Sequence, residues 1–173
     1  MKILYLLRHA KSSWKDPALA DFDRPVSGRG RRAAKAMGDY MENRGMHPAT
    51  VLCSAAERTR QTLDLVHPVL GADVPVEVRR NLYLADPQAI LTELAALPDS
   101  VPSVLVIAHN PGLHDLAVAL AASGDKDLLE ALSEKFPTAA LAVLTSEASR
   151  WKDLAKGGLH LEDFVRPKAL DKE

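Results

Sequence analysis

The chain has 173 residues, 47% of them hydrophobic and 26% charged, with a formal net charge of −1. That length suits one domain spanning residues 1–173 around a single core, and the composition is neither disordered nor fibrous. A near-neutral chain supplies no basic field, so nucleic acid is excluded as an expected partner and an anionic ligand must be drawn by locally clustered Arg or His.

The first apolar run, Ile3-Leu4-Tyr5-Leu6-Leu7, is continuous enough to be a strand covered on both faces. It is too short for a signal segment or a membrane span, so a cytoplasmic location with no membrane contact is expected. It ends at Arg8-His9. A helix is predicted from Ser27 to Arg44, with Ser27 at the N-cap, Ala33, Ala34, Met37, Tyr40 and Met41 on its apolar face, and Gly45 as a left-handed stop.

Thr50 to Cys53 reads as a second strand. Cys53 is the single cysteine; it rules out an intrachain disulfide or a thiolate zinc cluster and is expected to be a buried small hydrophobe. The following Ser54-Ala55-Ala56-Glu57 matches a capping box, which makes Ser54 an N-cap and puts Arg58 in the first turn of the next helix. A third helix is predicted over 87–97, with Asp86 as N-cap, Pro87 at its first position and Pro98 at its exit. Val104 to Ala108 is the strongest later strand. It ends at His109, and Asn110-Pro111 is expected to cap the helix after it. Ala139 to Thr145 is β-prone, Leu159 to Val165 is assigned as a final edge strand, and the last six residues are expected to fray. Strands alternating with helices in this way give an α/β fold with a mostly parallel sheet.

In such a sheet, ligands bind beyond the carboxyl ends of the strands. Three strand ends here offer chemistry: Arg8 with His9, Ser54 with Arg58, and His109. Two guanidinium groups match phosphate oxygens and hold charge as it shifts in a transition state. A neutral imidazole can attack phosphorus without a separate base once its other nitrogen is fixed by a hydrogen bond. His9 fits that role.

The segments Leu7-Arg8-His9-Ala10-Lys11-Ser12, Asp23-Arg24-Pro25 ahead of Ser27-Gly28-Arg29-Gly30, Ser54 through Thr62, and Ala108-His109-Asn110-Pro111-Gly112 together resemble the histidine phosphatase superfamily related to phosphoglycerate mutase, and its short SixA-type phosphohistidine phosphatase branch most closely. The resemblance implies a three-layer α/β/α sandwich and a transient phosphohistidine at His9. It also implies that Arg8, Arg58 and His109 bind the phosphoryl group and that Arg24 lines the same pocket. No cofactor or metal is implied, and a monomer is expected.

Two departures bear on substrate. Only 22 residues separate Arg58 from Asn81, which leaves little room for the helical lid of the mutases, so an open site is expected. Many relatives carry a general acid just before the Leu-Tyr that corresponds to Leu82-Tyr83, whereas this chain has Arg80 and Asn81. An ester needs its leaving alkoxide protonated, while phosphohistidine has a better leaving group. The expected partner is therefore a phosphorylated protein, with a small phosphorylated metabolite as the alternative and a binding module of weak turnover as a third reading. Asp86 and His109 are the remaining candidate donors. His114 and Asp115 scatter around their helix relative to His109 and do not suggest a metal. Arg29, Arg31, Arg32 and Lys35 read as a solvated basic face, with docking of an acidic protein as its other use.

Overall fold

The computed structural model describes residues 1–171. In chain order the elements are β1 (Lys2–Arg8), a 3₁₀ turn (Asp21–Asp23), α1 (Gly28–Asn43), β2 (Thr50–Ser54), α2 (Glu57–Leu70), β3 (Val76–Arg79) and a second 3₁₀ turn (Arg80–Leu82). There follow α3 (Pro87–Ala95), β4 (Ser103–Ala108), α4 (Gly112–Leu120), β5 (Ala121–Gly124), α5 (Lys126–Glu134), β6 (Leu141–Ser146), a 3₁₀ segment (Trp151–Lys156), β7 (Leu159–Val165) and α6 (Pro167–Leu170). The strands form one sheet in the order β3-β2-β4-β1-β6-β7-β5. The β3-β2-β4-β1 half is parallel throughout, and β6 pairs antiparallel with both β1 and β7.

Alternation along the central strands splits the core into two layers, because successive side chains leave opposite faces. Leu4 and Leu6 of β1, with Val104 and Val106 of β4, pack with α3, α4 and the Trp151–Lys156 segment. Tyr5, Leu7, Leu105 and Ile107 pack on the other face with Met37 and Met41 of α1 and Val66 and Leu70 of α2. Cys53 is fully buried in this second layer, and burial pushes its thiol up to about 12, so it behaves as a small hydrophobe. The result is the α/β/α sandwich with a mostly parallel sheet. Among the described residues no helix is long and apolar enough to cross a membrane.

Caps at Ser27 and Asp86 hold, their side chains accepting from Gly30 N and Ala89 N. Gly45 stops α1 at φ +66. The capping box at Ser54 does not form: Ser54 is the last residue of β2, and α2 starts after Ala56 without a side-chain cap. Asn110 is not a cap either, because its amide donates to Phe136 O at 2.9 Å instead. β7 is not an edge strand, since β5 lies outside it. Predicted strand residues Ala139 and Ala140 form a turn before β6, with Ala139 at φ +62. Pro167–Leu170 forms a helical turn where fraying is expected; the last two residues of that stretch lie outside the described residues.

Candidate active site

Strand register brings the three chemical strand ends to one level. Arg8 lies opposite Ala108, and Cys53 opposite Ile107, so His9, Ser54 and His109 leave the sheet side by side. The amide of His9 donates to Ala108 O at 3.2 Å. The two imidazole centroids are 5.3 Å apart.

The loop after His9 is held from three directions. Thr62 of α2 accepts from Ala10 N at 2.9 Å and donates to Arg58 O at 2.7 Å, tying this loop to the helix that carries Arg58. Gln61 accepts from Val26 N at 2.8 Å. The first turn of α1 rests directly on the loop: a Cβ on Gly30 would sit 2.3 Å from Lys11 O, so only glycine allows that approach.

Arg58 sits between the two histidines and can only donate, which decides both tautomers. Its Nε donates to His9 Nε2 at 3.4 Å and its Nη2 to His109 Nδ1 at 3.4 Å. His9 therefore carries its proton on Nδ1, which donates to Ala10 O at 2.8 Å, and presents an unprotonated Nε2. His109 carries its proton on Nε2 and donates to Ser54 Oγ at 2.7 Å. Burial is the main cause that drives both rings toward neutrality, His9 to about 4 and His109 to about 3, with the Arg58 charge adding to it in each.

Arg8 donates from Nη1 to Phe136 O at 3.1 Å, and burial lowers its pKa. Its Nε is buried and finds no acceptor, and the same holds for Nε and Nη1 of Arg24. Arg24 is stacked on the Trp14 ring at 3.5 Å. Buried guanidinium donors without acceptors are costly unless an anion completes them.

Sequence reasoning missed Asp21 and Tyr83. Asp21 Oδ2 accepts from Arg58 Nη2 at 3.1 Å and from the Tyr83 hydroxyl, and Asp21 O accepts from Arg58 Nη1 at 2.8 Å. Its other oxygen lies 3.9 Å from Arg24 Nε. The Tyr83 hydrogen bond, with help from Arg58 and Arg24, holds the Asp21 carboxyl below the usual range. Tyr83 also stands edge-on to His109 and Phe22. Among the described residues no helical lid is present, and the Asp21–Asp23 turn and Tyr83 lie against Arg58 and one edge of His109. Nothing in a linear motif ties Asp21 to this site, because it reaches Arg58 across 37 residues of chain. Asp86 is occupied as the cap of α3, and His114 bonds to Leu132 O at 2.6 Å on the far side of α4.

The family model of the histidine phosphatase superfamily (branch 1) matches residues 4–83. An uncharacterized protein of Mycobacterium tuberculosis strain H37Rv is 38% identical over 164 residues, spanning 94% of this chain and all of the relative. The solved structure of a candidate phosphohistidine phosphatase SixA from Nakamurella multipartitia superposes with a TM-score of 0.81 at 34% identity, covering 96% of each chain. That of the protein histidine phosphatase SixA complexed with tungstate does so at 0.77 and 25%, covering 98% of this chain and 99% of that one. The strand ends, the motif order and these relatives agree: the chain belongs to the histidine phosphatase superfamily, in its SixA-type branch, and is a phosphatase.

Proposed function

We propose that the enzyme removes the phosphoryl group from phosphohistidine in a protein, through a phosphohistidine intermediate at His9, without a metal or cofactor. The observation that carries this reading is the state of His9: a neutral ring, its Nδ1–H tied to Ala10 O and its Nε2 lone pair facing Arg58.

In the first step the His9 Nε2 lone pair attacks phosphorus and the substrate N–P bond breaks. The leaving imidazole keeps that electron pair and takes a proton from solvent. Arg8, Arg24 and Arg58 donate to the phosphoryl oxygens, the unpartnered nitrogens of Arg8 and Arg24 gain acceptors, and His109, its N–H committed to Ser54, positions Arg58 through Nδ1. The long 3.4 Å contact from Arg58 to Nε2 is readily exchanged for a phosphoryl oxygen. In the second step water forms the new O–P bond, the N–P bond breaks with its electron pair returning to Nε2, and the proton of the water is taken up by the departing phosphate.

The protonation states favour a phosphoramidate over an ester. At neutral pH His9 and His109 are neutral and Asp21 is ionised, so none of these three offers an acidic proton to an alkoxide. A panel of phosphohistidine peptide, sugar phosphates and nucleotide monophosphates tests the reading. Turnover of the peptide should exceed that of every ester; preference for an ester would overturn it in favour of a small phosphorylated metabolite.

A further inference from the structure

An open cleft of about 940 Å³ runs between the first turns of α1, the α6 turn and residues 135–138. Among the described residues six cations line it, Lys11, Arg29, Arg32, Lys135, Arg166 and Lys168, against one carboxylate, Asp171. In a chain whose net charge is −1 this is a strong local excess. All six side chains are exposed, and among the described residues none is in an ion pair. The basic run of α1 is thereby divided: Arg29 and Arg32 face the cleft, while Arg31 and Lys35 do not line it.

The cleft shares its walls with the active site. Lys11 follows His9 by two residues, so their Cα atoms are at most about 8 Å apart. On the opposite wall, Pro137 and Thr138 run into Ala139, whose amide donates to both Arg8 O and His9 O at 3.1 and 3.0 Å. Arg8 itself reaches Phe136 O in the same loop.

We propose that this cleft docks an acidic segment of the phosphoprotein substrate while the phosphohistidine occupies the site at His9. The inference rests on the phosphohistidine reading and adds to it a recognition element outside the phosphoryl pocket. Charge complementarity commits the occupant to a run of Asp or Glu close in sequence or space to the phosphorylated histidine.

The test uses two synthetic phosphohistidine peptides, one flanked by glutamates and its twin flanked by glutamines. Wild type should show a kcat/KM about 10-fold higher for the glutamate peptide, as a few exposed ion pairs would give. High salt should erase that preference by screening. The R29E/R32E variant should lose it through a raised KM for the glutamate peptide, with turnover of the glutamine twin retained. Glutamate in the first turns of a helix suits its dipole, so α1 should stay folded. Lys168→Glu, on the other wall, should act in the same direction. Equal rates on the two peptides in wild type, a preference that survives charge reversal, or an equal fall on both peptides would overturn the docking site. If wild type hydrolyses neither peptide but does hydrolyse a phosphate ester, the phosphohistidine reading fails and the docking site with it.

Discussion

The parallel half of the sheet, β3-β2-β4-β1, and the half joined to it by antiparallel pairing, β6-β7-β5, in which β5 runs parallel to β7, divide the work unequally. Parallel neighbours end at the same edge, and each here is followed by a loop into a helix, so β1, β2 and β4 deliver His9, Ser54 with Arg58, and His109 to one place. Antiparallel neighbours alternate their ends. β6 runs the opposite way, so the chain leading into it reaches the site only through main-chain groups, Phe136 O for Arg8 and the Ala139 amide under His9, while β7 ends at the same edge but leads into Arg166 and Lys168 of the basic cleft. Parallel register concentrates the chemistry, and the β6-β7-β5 half contributes core and one wall of the basic cleft.

The contrast can be broken by mutation. The largest expected effect is His9→Ala, which should lower turnover on the order of 10³-fold or more, measured as phosphate release. Next is Arg58→Ala, which removes donors to both histidines and to the phosphoryl group and should cost about 10²–10³-fold in kcat/KM. Ser54→Ala takes away the acceptor that fixes the His109 tautomer. A loss of about 5-fold in kcat/KM is expected, and the buried His109 N–H left without an acceptor should lower stability by about 1–3 kcal/mol in denaturant unfolding.

Leu161→Ala is the converse. Leu161 is buried in β7, so truncation should cost about 2–5 kcal/mol by denaturant unfolding. Below the unfolding transition kcat/KM should not move. A large loss of turnover in the folded variant would show that the β6-β7-β5 half reaches the chemistry after all.

Acidity sharpens the same division, because its effects enter through the parallel half. His9 binds a proton near pH 4 in the folded protein and near 6.5 when unfolded, and His109 is held lower still. Between those values the unfolded chain holds more protons, so stability rises with pH and is lost as pH falls from about 6.5 toward 4. The acid limb of kcat/KM should likewise lie near 4. A limb near 6.5 would mean that His9 is better solvated than its surroundings indicate.

The strands that carry the site were also the legible ones. β1 and β4 are unbroken apolar runs ending in His, and Ser27, Asp86 and Pro87 mark helix starts by local chemistry alone. Those signals placed Arg8, His9, Arg58 and His109 together before any tertiary contact was considered. The short Val76–Arg79 and Ala121–Gly124 strands were missed because neither is an apolar run: their residues are mostly exposed, and sheet pairing rather than local pattern holds them. Missing Ala121–Gly124 is what made Leu159–Val165 look like an edge. Ser54 matched a capping box, but its hydroxyl has a stronger tertiary use at His109, and the helix starts two residues later. Asp21 and Tyr83 escaped notice for the same reason, since their roles exist only once Arg58 lies between them and His9.

The central claim is that His9 carries the phosphoryl group during turnover. Wild-type enzyme should be mixed with a phosphohistidine peptide, quenched rapidly in alkali, digested and mapped by mass spectrometry. Acid-labile, alkali-stable phosphate on His9, absent from His9→Ala, is the predicted result. Phosphate on another residue, or steady release with none trapped on the enzyme at any quench time, would contradict it.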